Sequence, residues 1–92
     1  LLDVLHRPTN AGMHIRILVE TLIKLAPLYE KLIQQGCDEG IFRTEHPKEC
    51  AEFILSAVQL LTDTGIYSWT QEDLQRRAKA FPCLIEQQLQ AA

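Results

Sequence analysis

The chain has 92 residues, 47% of them hydrophobic and 23% charged, with a formal net charge of −3. That length holds one domain, residues 1–92, and no apolar run approaches the roughly 18 residues of a membrane span. The nine Lys and Arg are scattered, the tightest group being Arg76, Arg77 and Lys79, which argues against a chain that grips nucleic acid by itself, since such surfaces are basic.

The start, "LLDVL", has no basic segment ahead of an apolar stretch and does not read as a signal peptide. It begins with Leu1 rather than Met, which predicts a piece of a longer chain. Cys37, Cys50 and Cys83 make an odd count without a C-x-x-C pair. A disulfide framework is therefore not expected, and a reducing cytoplasm is the natural compartment.

The first predicted helix spans residues 13–39. At 100° per residue, Arg16, Glu20, Lys24, Lys31, Gln34, Gln35 and Asp38 form one polar stripe. Ile15, Leu18, Val19, Leu22, Ile23, Leu25, Ala26, Tyr29, Ile33 and Cys37 fall on the other side. Pro27 lies in the middle, where it removes a backbone bond and bends the axis. The stripe keeps its phase across it, which predicts one kinked helix rather than two. His14 sits at the edge of the apolar side, with Met13, Ile17 and Thr21 near it in sequence. These four read either as a pocket lining with one polar handle or as a helix edge packed against preceding chain.

A joint follows, "QQGCDEGIFRTEHPKE". Gly40 suits a left-handed helix cap. Ile41 and Phe42 are predicted to pack back on the helix just left, "RTEH" to cross the surface, and Pro47 to take the first position of the next helix, where its missing N–H costs nothing. Gly36, Gly40, Ile41, Phe42 and Pro47 thus form an expected clasp between two helices.

The second helix spans about residues 47–63. Lys48, Glu49, Glu52, Ser56, Gln59 and Thr62 share a stripe about 140° wide. Every other residue from Cys50 to Leu61 is apolar. An ordinary surface helix buries a stripe of a little over 100°, whereas here some 220° wants cover. One neighbouring element cannot supply that. The loop "DTGIYSW" then brings Ile66, Tyr67 and Trp69, expected to fold back on the helix ends. The third helix spans about residues 70–90. Thr70 is a fitting N-cap with acidic residues after it, and Leu74, Ala78, Phe81, Ile85 and Leu89 make a narrow seam of the bundle kind. Pro82 lies within it. No strand periodicity is present, so the fold class is all-α, an antiparallel helical domain.

Catalytic and metal chemistry find no constellation. His6, His14 and His46 lie on different elements, as do the cysteines, and no pair has zinc spacing. Cys50 and Cys83 read as small core or interface fillers. Ser56 has no His or Lys at a usable spacing. No cofactor is expected.

The stretch "LAPLYEKLIQQGCDEGIFRTEHPKECAEFILSAVQLL" resembles the C-terminal half of the tetracycline-repressor family of bacterial transcription regulators. Gly36, Gly40 and Phe42 match a G-x-x-x-G-x-F helix end; Pro47, Ala51, Phe53 and Ala57 match the Pro-started, Ala-rich helix; Trp69 and Thr70 match the start of the last helix. Pro82 departs from the pattern. The resemblance implies a non-enzymatic domain that forms a homodimer and senses a small-molecule effector, most often in a repressor, with DNA read by an N-terminal helix-turn-helix absent from this chain. It also implies that the last two helices pair with their symmetry mates in a four-helix bundle, with Ile54, Ala57, Val58, Leu61, Leu74, Ala78, Phe81 and Ile85 at the interface. The wide apolar surface of the second helix points the same way, because a two-fold contact reuses one patch on both chains. The rival expectation is a helical interaction module with no ligand.

Overall fold

Helix ends in this chain are set by a few residues whose backbone or side chains suit no other place. A computed structural model describes residues 11–92; the apolar start and His6 lie outside the described residues. Three helices follow in order: α1 (Ala11–Asp38), α2 (Pro47–Thr62) and α3 (Gln71–Leu89). No strand occurs among the described residues, and the class is all-α. α1 runs as one helix through Pro27, and α3 through Pro82.

α1 stops at Gly40, whose φ of 78° is left-handed. There the Ile41 N–H reaches the Gly36 carbonyl at 2.8 Å and the Gly40 N–H the Cys37 carbonyl at 3.1 Å. This pair of bonds satisfies carbonyls that the helix leaves open, and Gly takes the conformation without Cβ strain. The chain then turns back, and the Phe42 ring lies against Gly36. Ile41 does not share this contact: its side chain is 49% exposed, and its part is played by its backbone.

The joint is more than a surface crossing. Thr44 is buried, which corrects the expected exposed link. Its Oγ1 accepts from the His46 N–H at 3.1 Å and lies 3.2 Å from Cys50 Sγ. Cys50 in turn donates to the Gln88 carbonyl of α3 at 3.4 Å, and Cys37 donates to the Thr44 carbonyl at 3.6 Å. The N–H groups of Arg43 and Thr44 both reach the Leu89 carbonyl, and the Ala92 N–H reaches the Ile41 carbonyl. Buried backbone groups need such partners, so the joint closes the end of α3.

α2 starts with Pro47 at its first turn. α3 starts with a capping box in which Thr70 Oγ1 accepts from the Asp73 N–H at 3.0 Å and Asp73 accepts from the Thr70 N–H at 3.2 Å. The hydrogen bonds with Thr70 hold the Asp73 carboxyl below its ordinary value.

The core is small and sits at one end. Ile33, Cys50, Ala51 and Leu89 are buried together, with Cys37, Phe42, Ile54 and Ile85 packed around them. The whole is flat, with extents of 46 × 28 × 16 Å, and α2 lies between α1 and α3. Its radius of gyration is 15.1 Å, against about 12 Å for a compact chain of this length. A stable core needs two packed layers. This chain supplies one layer, and large apolar side chains stand exposed on it.

Candidate functional site

α2 has α1 on one side and α3 on another, and a groove opens beside each. The groove between α2 and α3, about 310 Å³, is lined from α2 by Phe53, Ile54, Ala57, Val58 and Leu61, and from α3 by Phe81, Leu84, Ile85 and Gln88. Gln88 is its one polar wall. Six of the eight residues expected at an interface line it: Ile54, Ala57, Val58, Leu61, Phe81 and Ile85. Leu74 and Ala78 stand outside it, Leu74 half-buried and Ala78 exposed. Phe53 and Leu84, outside the expected set, are its most open apolar walls, 64% and 51% exposed. Leu84 lies off the regular seam of α3, and only the unfilled space beside the seam reveals it. Cys83 is exposed on the same helix and fills no core.

A second groove, about 260 Å³, lies between α1 and α2 and is lined by Ile15, Leu18, Val19, Leu22, Ser56, Gln59, Leu60 and Ile66. Ser56 and Gln59 make no side-chain hydrogen bond among the described residues, so both are open to an occupant. The four residues expected at a ligand site flank this groove on α1 without lining it. Met13 and Ile17 are exposed, at 55% and 40%. Thr21 turns its hydroxyl back to the Ile17 carbonyl at 2.8 Å.

His14 is buried and engaged. Its Nε2 donates to Asp63 Oδ2 at 2.7 Å, tying the first half of α1 to the end of α2. Asp63 also accepts from the Gly65 N–H at 2.8 Å. Burial pushes the Asp63 carboxyl up, but the His14 hydrogen bond, the Gly65 N–H, the His14 charge and the Ile66 N–H outweigh it and hold it below its ordinary value. A carboxylate held low in the folded state stabilises that state above the ordinary unfolded value, about 4. The contribution fades as pH falls through the lower folded value. Thermal melts between about pH 5 and about pH 3 are therefore expected to show falling stability, and Asp63→Asn to flatten the fall. Parallel profiles for parent and variant would show that this pair is not an acid-labile tie.

The loop from α2 to α3 folds back as its aromatic residues suggest. Ile66 enters the α1–α2 groove. Trp69 Nε1 donates to the Leu60 carbonyl at 3.1 Å, and the Tyr67 ring lies 4.5 Å from the Trp69 ring, centre to centre. Arg77 lays its guanidinium over Trp69, 4.1 Å from the ring centre, and donates Nη1 to the Leu61 carbonyl at 2.8 Å. Arg77 belongs to the tightest basic group of the sequence, but a partner sixteen positions away is not legible from spacing.

Among the described residues no three His, Cys, Asp or Glu gather where they could hold a metal ion. No helix of the described residues is long and apolar enough to cross a membrane. The features that stand out are two apolar grooves on a single layer of antiparallel helices, joined at a Gly-capped, Phe-covered corner. No curated protein is similar enough to be set beside the chain. A family model described as tetracyclin repressor-like, C-terminal domain, matches residues 2–84. The chain belongs to this family of regulator domains, the tetracycline repressor-like C-terminal domains.

Proposed function

We propose that the chain is the dimerising and effector-sensing part of a cytoplasmic transcription repressor, with DNA read by a helix-turn-helix outside this sequence. The observation that carries the reading is the apolar α2–α3 groove on a layer too thin to bury it. Water against Phe53, Val58 and Leu84 is unfavourable, and covering such surface yields roughly 25 cal/mol for each Å². A second copy placed by a two-fold axis brings the same groove to face itself, so that each copy's Phe53 finds apolar walls. Four helices then pack where two stood. Sedimentation equilibrium of the chain is expected to report a dimer at micromolar concentration. A monomer there would remove the interface argument.

The effector reading places the sensing end at the first half of α1, the part that carries Met13, His14, Ile17 and Thr21 and borders the α1–α2 groove. The groove has apolar walls with an amide and a hydroxyl, the usual make-up of a site for a small apolar molecule bearing one hydrogen-bonding group. An effector that prefers one arrangement of the dimer would shift its population and so the spacing of the DNA-reading heads. One observation favours the second reading, an interaction module without ligand: His14 and Thr21 already spend hydrogen bonds within the chain. A thermal-shift screen separates the two, since a ligand that binds the folded state raises Tm. Small apolar alcohols and acids are the probes. Raised Tm in the parent, lost in Gln59→Leu, supports sensing at the groove.

A further inference from the structure

Two consecutive residues in the last turn of α2 serve different grooves. Leu60 puts its side chain into the α1–α2 groove, and Leu61 into the α2–α3 groove. Their carbonyls belong to the last turn, where a helix leaves acceptors without partners. Here both are taken by side chains: Leu60 by Trp69 Nε1 and Leu61 by Arg77 Nη1. The guanidinium lies on the indole face, so the two donors brace each other. α2 carries no basic residue in its own last turn, and Arg77 brings to it the positive charge that a helix C-terminus favours. Among the described residues, this is the one side-chain hydrogen bond from the first half of α3 to α2.

The position of this clamp matters. The buried core of Ile33, Cys50, Ala51 and Leu89 lies at the opposite end of the α2–α3 pair. Between clamp and core runs the α2–α3 groove. The core holds α2 and α3 together at one end, and the clamp fixes their separation at the other. Releasing the clamp would let the open end splay while the core stays packed. Phe81, one turn along from Arg77, and Leu61 would then change their spacing across the groove.

We propose that Arg77 and Trp69 are positioning residues for dimerisation: their clamp on the last turn of α2 sets the width of the face that meets the second copy. This rests on the dimer reading above, and the test keeps the two apart. Sedimentation equilibrium is run on the parent chain, Arg77→Met, Arg77→Lys and Phe53→Glu, with thermal melts and tryptophan emission alongside. Arg77→Met keeps the length and loses the donors and the charge. It is expected to raise the dimer dissociation constant about tenfold or more while Tm of the monomeric form falls by no more than about 8 °C. Emission from Trp69, the single tryptophan of the chain, should shift to the red as its ring loses cover. Arg77→Lys keeps charge and reach without the planar fork, and should recover part of the affinity.

An unchanged dissociation constant in Arg77→Met, with a dimer lost in Phe53→Glu, overturns the clamp and leaves the dimer reading standing. A dimer that survives Phe53→Glu unaltered overturns the groove interface and the clamp with it. Loss of helix and Tm in step with affinity would assign Arg77 a folding role alone and also overturn the proposal. Should Arg77→Met not fold, Trp69→Phe serves instead. It keeps a ring under the guanidinium and removes the N–H to Leu60, and a several-fold loss of affinity at nearly constant Tm is then the expected result.

Discussion

Phe53→Glu is expected to leave the chain monomeric at micromolar concentration, raising the dimer dissociation constant by more than about a hundredfold. In the single chain Phe53 is 64% exposed, so the substitution removes little internal packing and should change monomer stability by about 0.5 kcal/mol or less. In the dimer the same position would set a carboxylate against the apolar walls formed by Ile54, Val58, Leu84 and their symmetry copies. No Lys or Arg lines that groove. A buried charge without a partner costs several kcal/mol, and two copies double the effect. Sedimentation and melting measured together separate the outcomes. An unaltered dimer places the interface on another face of the layer.

Gly36→Ala is expected to destabilise the fold by about 1–3 kcal/mol, which for a domain this small lowers Tm by roughly 5–20 °C. A Cβ at position 36 would overlap the Phe42 ring, lying 2.5 Å from Cε2 and closer still to Cδ2. The ring cannot simply swing out. It packs against the buried cluster of Ile33, Cys50, Ala51 and Leu89, and its own N–H is held by the Gly36 carbonyl at 3.2 Å. Phe42→Ala removes the clash but opens a void. The double variant should therefore be less unstable than the sum of the two single ones, a coupling that neighbouring residues show. Additive losses would mean that the ring does not press on Gly36.

The parts of the fold legible in the sequence are those written locally. Gly40, Pro47 and Thr70 mark helix ends because each suits one backbone setting. The 220° of apolar surface on α2 announced that one neighbour could not cover it, and the thin layer with its open groove is the form that takes. What stayed hidden depends on residues distant in sequence. Periodicity assigned Ile15, Val19 and Ile23 to an apolar side of α1, but α2 covers only part of that side, and these three stay exposed. Periodicity says which face avoids water, not which neighbour arrives. The His14 partner lies 49 positions on, and Thr44 reads as a polar loop residue until α3 closes over it. At the candidate interface, the regular seam pointed to Leu74 and Ala78, whereas the space beside it belongs to Leu84. A seam is a statement about one helix, while a groove needs the crossing of two.

The core has a consequence for the order in which the chain can become a protein. Ile33, Cys50 and Leu89 come from three distant stretches, and the Leu89 carbonyl is tied by residues 43 and 44. A ribosome releases α1 and α2 first. Until the segment around Leu89 emerges, Cys50 and Ala51 face an empty place, and the corner at Thr44 has no helix end to close. Contacts so far apart in sequence form late, after the loop between them has closed. The nascent chain thus passes through a stage in which two sticky helices wait for a third, the stage at which aggregation competes with folding. Rare codons or chaperones acting as the segment around Leu89 emerges would be felt more than those acting while α1 and α2 are made.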